Sequence, residues 1–348
     1  MNKSNEPHMS TNGSTNIFLP VSDLTDLLTR IFIRNGVSRD SAGILAANCA
    51  WCERDGSLSH GIFRMPGYVA TLKSGWVDGC AKATTEIAGA AFLRVDAQNG
   101  FAQPAWQDSL PQVFKMVSEQ GVAVVAIRNS HHFSALWPDL EPLADKGLIA
   151  LSMVTGLACV APYGGRRPVF GTNPIAFATP VADAHPMIFD FATSSISNGD
   201  LRIAAKSGHQ IPPESGIDAS GNLSADPSAI LSGGALLPFG GHKGAAISLM
   251  VEILASGLTG GLFSSEVDFS SHPGAESPRT GQVIIAIDPQ RGGNGAFERR
   301  VRQLIDTVRD AGQTRLPSDR RYRTRELALS NGIPLSQEQH EALLAMAG

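Results

Sequence analysis

The sequence predicts a mixed α/β fold, with a helical part built from both ends of the chain and a strand-rich part between them. Apolar residues recur at helical spacing near both termini. Short continuous apolar runs, typical of buried strands, are concentrated between about residues 120 and 290. The chain has 348 residues, 43% of them hydrophobic, which suits about two domains of ~150 residues each.

The predicted division of the chain has three parts. Residues 1–18 form a flexible polar tail, residues 19–120 and 297–348 form the helical domain, and residues 121–296 form the strand-rich domain. The first helix carries the apolar stripe of residues 24–32 and ends at Gly36, and the second is capped by Ser38. That second helix runs to about Arg54. Further helices are expected at residues 101–120, 136–146, 241–257 and 297–308, and from about residue 327 onward.

Five apolar runs predict strands, at residues 122–127, 148–154, 175–178, 187–191 and 283–287. No G-x-G-x-x-G follows any of them before a helix, so the Rossmann dinucleotide fingerprint is missing. A phosphate-binding P-loop and the G-x-S-x-G nucleophile elbow are also missing. Any nucleotide must therefore bind in another way.

Composition excludes several classes of protein. Lys and Arg number 28 against 32 Asp and Glu, a net charge of −4, which argues against nucleic-acid binding. No apolar run approaches the ~20 residues of a membrane span, and the polar N-terminus does not predict a secretory signal. The four cysteines are too few for a disulfide scaffold. We therefore expect a soluble cytoplasmic enzyme with no nucleic-acid or membrane partner.

The first candidate site is the pattern Ser59-His60-Gly61-x-x-Arg64-x-x-x-Tyr68. On a continuous helix, positions 60, 64 and 68 would share one face. Such a face offers an imidazole for proton transfer, a guanidinium for an anion and a phenol for hydrogen bonding. The alternative is a capped helix with a surface histidine and an arginine whose stem lies along the surface.

Three further segments could bind a ligand. Residues 130–135, S-H-H-F-S-A, follow a predicted strand, where hydrogen bonding to a ligand is more plausible than a metal site. Residues 238–244, P-F-G-G-H-K-G, lead into a helix whose N-terminus could bind an anion together with Lys243, or could be an ordinary glycine-rich helix start. Residues 171–177 and 189–200 carry hydroxyl groups and Asp200, a carboxylate that could orient His60.

Cys49 and Cys52 form a C-x-x-C on the apolar stripe of the second helix. No second C-x-x-C or C-x-x-H stands nearby to complete a zinc site. We therefore expect core residues and no metal.

Together, these motifs resemble the malate/L-lactate dehydrogenase-like oxidoreductases, a family with a non-Rossmann NAD(P) fold. The resemblance runs from about residue 20 to the C-terminus and rests on five ordered motifs, D-G-S-L-S-H-G-I-F-R-M-P-G-Y, S-H-H-F, G-T-N-P-I-A-F, F-D-F-A-T-S and P-F-G-G-H-K-G. Within this family, residues 130–144 are similar to those of the bacterial Δ1-piperideine-2-carboxylate/Δ1-pyrroline-2-carboxylate reductases. Those enzymes are homodimers that reduce a cyclic imino acid with NADPH.

The resemblance also implies roles for individual residues. His60 would be the proton donor with Ser59 and Asp200 as its relay partners, and Thr172 and Arg64 would contact the substrate. The middle domain would bind NADPH, and the implied cofactor contacts are Arg64, His132, Phe133, Ser134, Ala135, Leu136, Asp190, Phe191, Ala192, His242, Lys243, Arg315 and Asp319. Ser318 stands where the family usually has glycine.

The chemistry suits these residue types, because a histidine that titrates near neutral pH could protonate the ring nitrogen while hydride reaches C2. Selecting NADPH over NADH requires a cation near the 2′-phosphate, and the candidates are Arg166, Arg167, Arg315, Arg320 and Arg321. The main alternative is an NAD(P)-dependent reductase of malate- or lactate-type 2-oxo acids. A catalytically inactive scaffold and a metal enzyme built on His131, His132, His242 and His272 are weaker alternatives.

Overall fold

The computed structural model describes residues 16–293 and 295–348. Its strands are β1 Asn16–Leu19, β2 Thr84–Gly89, β3 Phe92–Asp96, β4 Val122–His131, β5 Ile149–Val154, β6 Ile175–Thr179, β7 Met187–Phe191, β8 Gly216–Ile217, β9 Leu223–Ser224, β10 Ala235–Leu236, β11 Arg279–Ile287 and β12 Ile333–Ser336. Its helices are α1 Val21–Arg34, α2 Arg39–Arg54, α3 Met65–Lys73, α4 Ala102–Gln120, α5 Trp137–Ala144, α6 Asn198–Ser207, α7 Pro227–Leu231, α8 His242–Val251, α9 Phe297–Asp310, α10 Asp319–Asn331 and α11 Gln337–Ala347.

A seven-stranded sheet forms the centre of the fold, in the order β2-β3-β4-β11-β5-β6-β7. Only β3 and β4 pair in parallel, so the described sheet is not the parallel sheet of a Rossmann fold. All five predicted strands lie in it. Their apolar runs are explained by burial of both faces: Ile284 and Ala286 of β11 face the core under α4 and α5, while Val283 packs against Val251 and Ala255. The mixed α/β prediction is confirmed.

A second core joins the two ends of the chain. It is built from α1, α2, α3 and α11, with Leu24, Leu45 and Leu343 among its buried side chains. Strand β1 pairs with β12 in antiparallel register. The prediction of a flexible tail over residues 1–18 is therefore wrong for residues 16–18, and its remainder lies outside the described residues.

Several predicted elements differ from the structure in extent. The strand predicted at 122–127 continues to His131, because Ser130 and His131 pair with β11. The helix predicted at 241–257 is α8 followed by a π-type turn at Glu252–Gly257. The helix predicted from about residue 327 is two helices, α10 and α11, separated by strand β12.

The boundaries of the two predicted domains stay a prediction. Strands β2 and β3, which the sequence analysis did not predict, belong to the central sheet although they precede the boundary at residue 121. Helix α4 also packs on that sheet. In the described residues, no helix is both long and apolar enough to span a membrane.

Candidate active site

A cavity of about 860 Å³ lies beside the sheet edge formed by β7. Its walls come from the loop 56–60, residues 134–137 at the start of α5, residues 188–200 and the segment 313–321. The volume falls within the usual range for small-molecule and cofactor sites. Eleven predicted site residues line it: Ser59, His60, Ser134, Ala135, Leu136, Thr172, Asp190, Phe191, Ala192, Asp200 and Arg315.

Six other predicted site residues lie outside the lining of this cavity: Arg64, His132, Phe133, His242, Lys243 and Asp319. The residues that line it without having been given an individual role from the sequence include Trp137, Phe189 and Ile203. Phe189 and Trp137 stand directly beside the predicted residues Asp190 and Leu136, so adjacency in sequence could have pointed to them. No comparable signal marks Ile203.

The loop that carries His60 is bent. Short 3₁₀ turns at Leu58–His60 and Ile62–Arg64 flank Gly61, so positions 60, 64 and 68 do not lie on one continuous helix face. Tyr68 instead lies in the core, with its ring centroid 5.2 Å from that of Phe32. The expectation of three functional side chains on one helix face is therefore wrong, and Tyr68 is a core residue.

His60 is half-buried and its ring points toward the Ser59 hydroxyl, with Ser59 Oγ 3.1 Å from His60 Nδ1. Desolvation is the main cause that lowers the pKa of His60 to about 3, with smaller contributions from the neighbouring Arg64 and His132. The imidazole is therefore neutral at pH 7 in the free protein. The expectation that it titrates near neutrality does not hold before a ligand binds.

The side chain of Arg64, which ends the second turn, folds back onto the first turn. Its Nε donates to the Ser59 carbonyl oxygen at 2.8 Å, and its guanidinium lies 4.4 Å from the ring centroid of Phe133. Desolvation lowers the pKa of Arg64. In the described parts of the chain, no carboxylate forms an ion pair with Arg64. A largely buried charge of this kind favours an anionic ligand.

The start of α6 packs directly against the loop 58–64, which carries His60 and is called the catalytic loop below because of the role predicted for His60. A Cβ at Gly199 would lie 3.0 Å from Ser59 Cβ and 3.2 Å from Arg64 Nη2, so only glycine permits this approach without displacement. Ser197 caps the helix by accepting from the Asp200 amide at 3.0 Å. Asp200 lines the cavity, but no hydrogen bond joins it to His60 among the described residues.

The two adjacent histidines at the end of β4 have structural partners. His132 Nε2 lies 3.1 Å from Asp139 Oδ2, which also accepts from Gln282. His131 Nε2 lies 3.1 Å from Asn99 Oδ1. These contacts fix the end of the strand, from which residues 134–136 continue into the cavity wall.

Asp190 holds the start of α5 in place. Its Oδ2 accepts from the Leu136 amide at 2.7 Å and the Trp137 amide at 3.0 Å. Burial raises the pKa of Asp190, while these two hydrogen bonds and the charge of Arg321 oppose the rise. The carboxyl group thus connects β7 to the loop 134–136 across the cavity.

Thr172 is positioned by a buried polar network. The neighbouring Asn173 has a φ of +42° and donates to Glu252 Oε1 at 2.9 Å and to the Ser248 carbonyl at 3.1 Å. Thr193 donates its amide to the Thr172 carbonyl at 2.8 Å. This network fixes the loop against α8 and the turn that follows it.

Ser318 adopts the backbone conformation that the usual glycine would favour, with φ at +74°. Its hydroxyl donates to the Ile188 carbonyl at 2.7 Å and accepts from the Ile188 amide at 2.8 Å. Arg321 also donates to that carbonyl, at 2.8 Å. Residue 318 therefore adopts a left-handed conformation without being glycine, and its hydroxyl ties the segment 313–321 to β7.

Helix α8 begins beside the cavity wall rather than in it. Phe239, which precedes the helix, packs against Phe191 with 6.0 Å between ring centroids. A Cβ at Gly244 would collide with the Phe239 carbonyl oxygen, so this position requires glycine. His242 and Lys243 are exposed at the helix N-terminus. Asp319 accepts from the Leu316 amide at 2.9 Å and lines a smaller neighbouring cavity of about 430 Å³.

Comparison with known proteins identifies the family of this chain. The family model for malate/L-lactate dehydrogenase matches residues 19–344. A Δ1-pyrroline-2-carboxylate/Δ1-piperideine-2-carboxylate reductase of Pseudomonas syringae pv. tomato is 54% identical over 93% of this chain and 95% of its own length. A reductase of the same name from Pseudomonas putida is 51% identical over 96% of this chain and 98% of its own.

Solved structures show the same likeness. The crystal structure of Δ1-piperideine-2-carboxylate reductase from Pseudomonas syringae superposes with a TM-score of 0.93 at 53% identity, covering 95% of this chain and 99% of the other. A dehydrogenase from Sinorhizobium meliloti gives a TM-score of 0.86 at 30% identity, covering 96% and 99%. This chain therefore belongs to the malate/L-lactate dehydrogenase family.

Proposed function

We propose that this chain is a nicotinamide-dependent reductase that converts Δ1-piperideine-2-carboxylate to L-pipecolate and Δ1-pyrroline-2-carboxylate to L-proline. The observation that carries the proposal is the 54% and 51% identity to two reductases of that name over nearly the whole of each chain. The cavity supports it, because a histidine, hydroxyl groups and a nearby arginine that has no ion pair among the described residues suit a small carboxylated imine.

The reaction adds one hydride to C2 and one proton to the ring nitrogen, so the C=N double bond becomes a single bond. When bound, the nicotinamide cofactor supplies the hydride. His60 supplies the proton. Because its pKa is about 3 in the free protein, His60 needs a nearby negative charge to hold a proton at pH 7. The substrate carboxylate brings that charge, so proton donation is coupled to substrate binding.

Arg64 and Thr172 bind the substrate carboxylate in this proposal. Arg64 carries a largely buried charge without an acidic partner among the described side chains, and an entering carboxylate would compensate it. Thr172 lines the cavity from a loop that Asn173 and Glu252 hold in place, and Arg64 lies next to the lining residue Ser59. Asp200 remains the proposed relay partner of His60, because both residues line this cavity.

The cavity walls fit a nicotinamide cofactor. Trp137, Phe189 and Phe191 offer ring surfaces, and Arg315 and Arg320 bring positive charge to the segment 313–321 for phosphate groups. We propose NADPH as the cofactor, with these two arginines near the 2′-phosphate. Arg321 is the weaker candidate, because its guanidinium already donates to Ile188 and Ser318.

We also propose a homodimer in the cytoplasm. Exposed apolar side chains follow one another along α8 and the turn after it, namely Leu249, Met250, Ile253 and Leu258. Such a stripe is costly in water and suits an interface. All four cysteines are free, which suits a reducing compartment. Sedimentation equilibrium of the wild type and of Ile253→Arg tests the dimer, which the arginine should weaken.

The decisive experiment is a steady-state panel with two cyclic imines, Δ1-piperideine-2-carboxylate and Δ1-pyrroline-2-carboxylate, and two 2-oxo acids, pyruvate and oxaloacetate. Each is assayed with NADPH and with NADH. The proposal predicts the highest kcat/KM for a cyclic imine with NADPH. A higher kcat/KM for either oxo acid would favour the malate- or lactate-type alternative instead.

A further inference from the structure

Glu53 is a buried carboxyl group that has no role in the reaction described above. It lies in the last turn of α2, with 6% of its surface exposed. In the described residues it has no cationic partner, and burial raises its pKa to about 7. A buried carboxyl group without a cation costs stability, so its presence calls for another explanation.

The Glu53 carboxyl group contacts the joint of the catalytic loop. Its Oε2 accepts from the Ile62 amide at 2.9 Å. The same oxygen occupies the space where a Cβ of Gly61 would stand. Gly61 and Ile62 connect the 3₁₀ turn that carries His60 to the one that carries Arg64.

The relative placement of the two turns depends on this joint. Besides it, the turns are linked by the hydrogen bond from Arg64 Nε to the Ser59 carbonyl oxygen, at 2.8 Å. Without an acceptor for the Ile62 amide, that buried donor would be left unsatisfied and the backbone at Gly61 would be free to rotate toward another partner. His60 and Arg64 would then change their separation.

We propose that Glu53 is a positioning residue for the reaction: its carboxyl oxygen holds the joint at Gly61 and Ile62, and so sets the placement of His60 relative to Arg64. The inference rests on the proposed function for the reaction that it serves. The contact itself, between Glu53 and the Ile62 amide, can be tested without that function.

The test compares two variants of similar side-chain volume, Glu53→Gln and Glu53→Met, in the full-length chain. Glutamine keeps an oxygen that accepts from the Ile62 amide, whereas methionine fills the space without a strong acceptor. Asp40→Asn, which changes an exposed carboxylate in the first turn of the same helix, serves as the control. Each variant is assayed for kcat, KM for NADPH and hydrogen exchange at the Ile62 amide.

Glu53→Met should lower kcat by about tenfold or more, because small misplacements of reacting groups have large effects on rate. It should leave KM for NADPH within about threefold and speed exchange at Ile62, whereas Glu53→Gln should restore kcat and protection. Wild-type kcat and a protected Ile62 amide in Glu53→Met would overturn the inference. So would a folded Glu53→Gln variant as slow as Glu53→Met.

The two proposals fail in different ways. If the wild type reduces no cyclic imine, the proposed function fails, and exchange at the Ile62 amide still decides whether Glu53 holds the loop. If the wild type is active and the Glu53 variants are as active as the Asp40→Asn control, the positioning role fails while the proposed function stands.

Discussion

Replacing Ser318 with alanine removes the hydroxyl that ties the segment 313–321 to the edge strand β7. Ile188 is fully buried, and its amide donates to that hydroxyl at 2.8 Å. The Ile188 carbonyl keeps a partner in the variant, because Arg321 donates to it at 2.8 Å. The amide keeps none, and an unsatisfied buried donor costs ~1–3 kcal/mol.

The lost hydrogen bond from the hydroxyl to the carbonyl adds ~1 kcal/mol, so Ser318→Ala should lower the free energy of unfolding by ~2–4 kcal/mol. The left-handed backbone, with φ at +74°, persists in this variant. Glycine adopts that conformation without the ~1 kcal/mol penalty of an L side chain. Ser318→Gly should therefore be about 1 kcal/mol more stable than Ser318→Ala, and both should be less stable than the wild type.

Urea denaturation at pH 7, followed by tryptophan fluorescence and circular dichroism, measures these differences as shifts in the midpoint at constant slope. Both variants should also raise KM for NADPH, because Ser318 and Arg321 line the cavity. An alanine variant as stable as the wild type would show that the hydroxyl is not holding the strand. A glycine variant less stable than the alanine variant would refute the part of the reasoning that concerns backbone strain.

Two further predictions concern the catalytic loop. Glu53 has a pKa of about 7 against an ordinary value of 4.5, so its stabilising contribution is fully present below pH 4.5 and is lost as the pH rises through 7. At pH 8 the free energy of unfolding of Glu53→Gln should therefore exceed that of the wild type by up to ~3 kcal/mol. A difference in unfolding free energy between the two proteins that stays constant from pH 5 to 8 would contradict this. Arg64→Gln should raise KM for the imino acid by ~10- to 100-fold, because a hydrogen bond to a charged group is worth ~1.5–3 kcal/mol. Initial-rate kinetics measure this KM, and an unchanged value would show that Arg64 does not bind the substrate.

Local sequence signals predicted much of the fold. Ser38 does cap α2, because its hydroxyl accepts from the Ser41 amide. The five apolar runs are strands of one sheet because both of its faces are covered. Strand β2 escaped prediction for a physical reason. Every residue of β2 is exposed at the edge of the sheet, so burial imposes no apolar pattern on it.

The sequence predicted which residues belong to the candidate site, but it did not predict their conformation or their tertiary contacts. Motifs identified the residues, and eleven of them line one cavity. Glu53 contacts the bend at Gly61 and Ile62, and no helical periodicity reveals that contact. The low pKa of His60 depends on burial by distant segments, and the left-handed Ser318 depends on Ile188 of β7. Each of these features comes from tertiary contacts.

In the proposed reaction, His60 gives a proton to the ring nitrogen of a cyclic imine in the cavity beside β7. The most direct measurement is kcat for Δ1-piperideine-2-carboxylate in the wild type and in His60→Gln, together with the dissociation constant for NADPH from its fluorescence. We expect His60→Gln to lower kcat by ~10²- to 10⁴-fold while NADPH binds nearly as tightly as before. Turnover at the wild-type rate in the His60→Gln variant would contradict it.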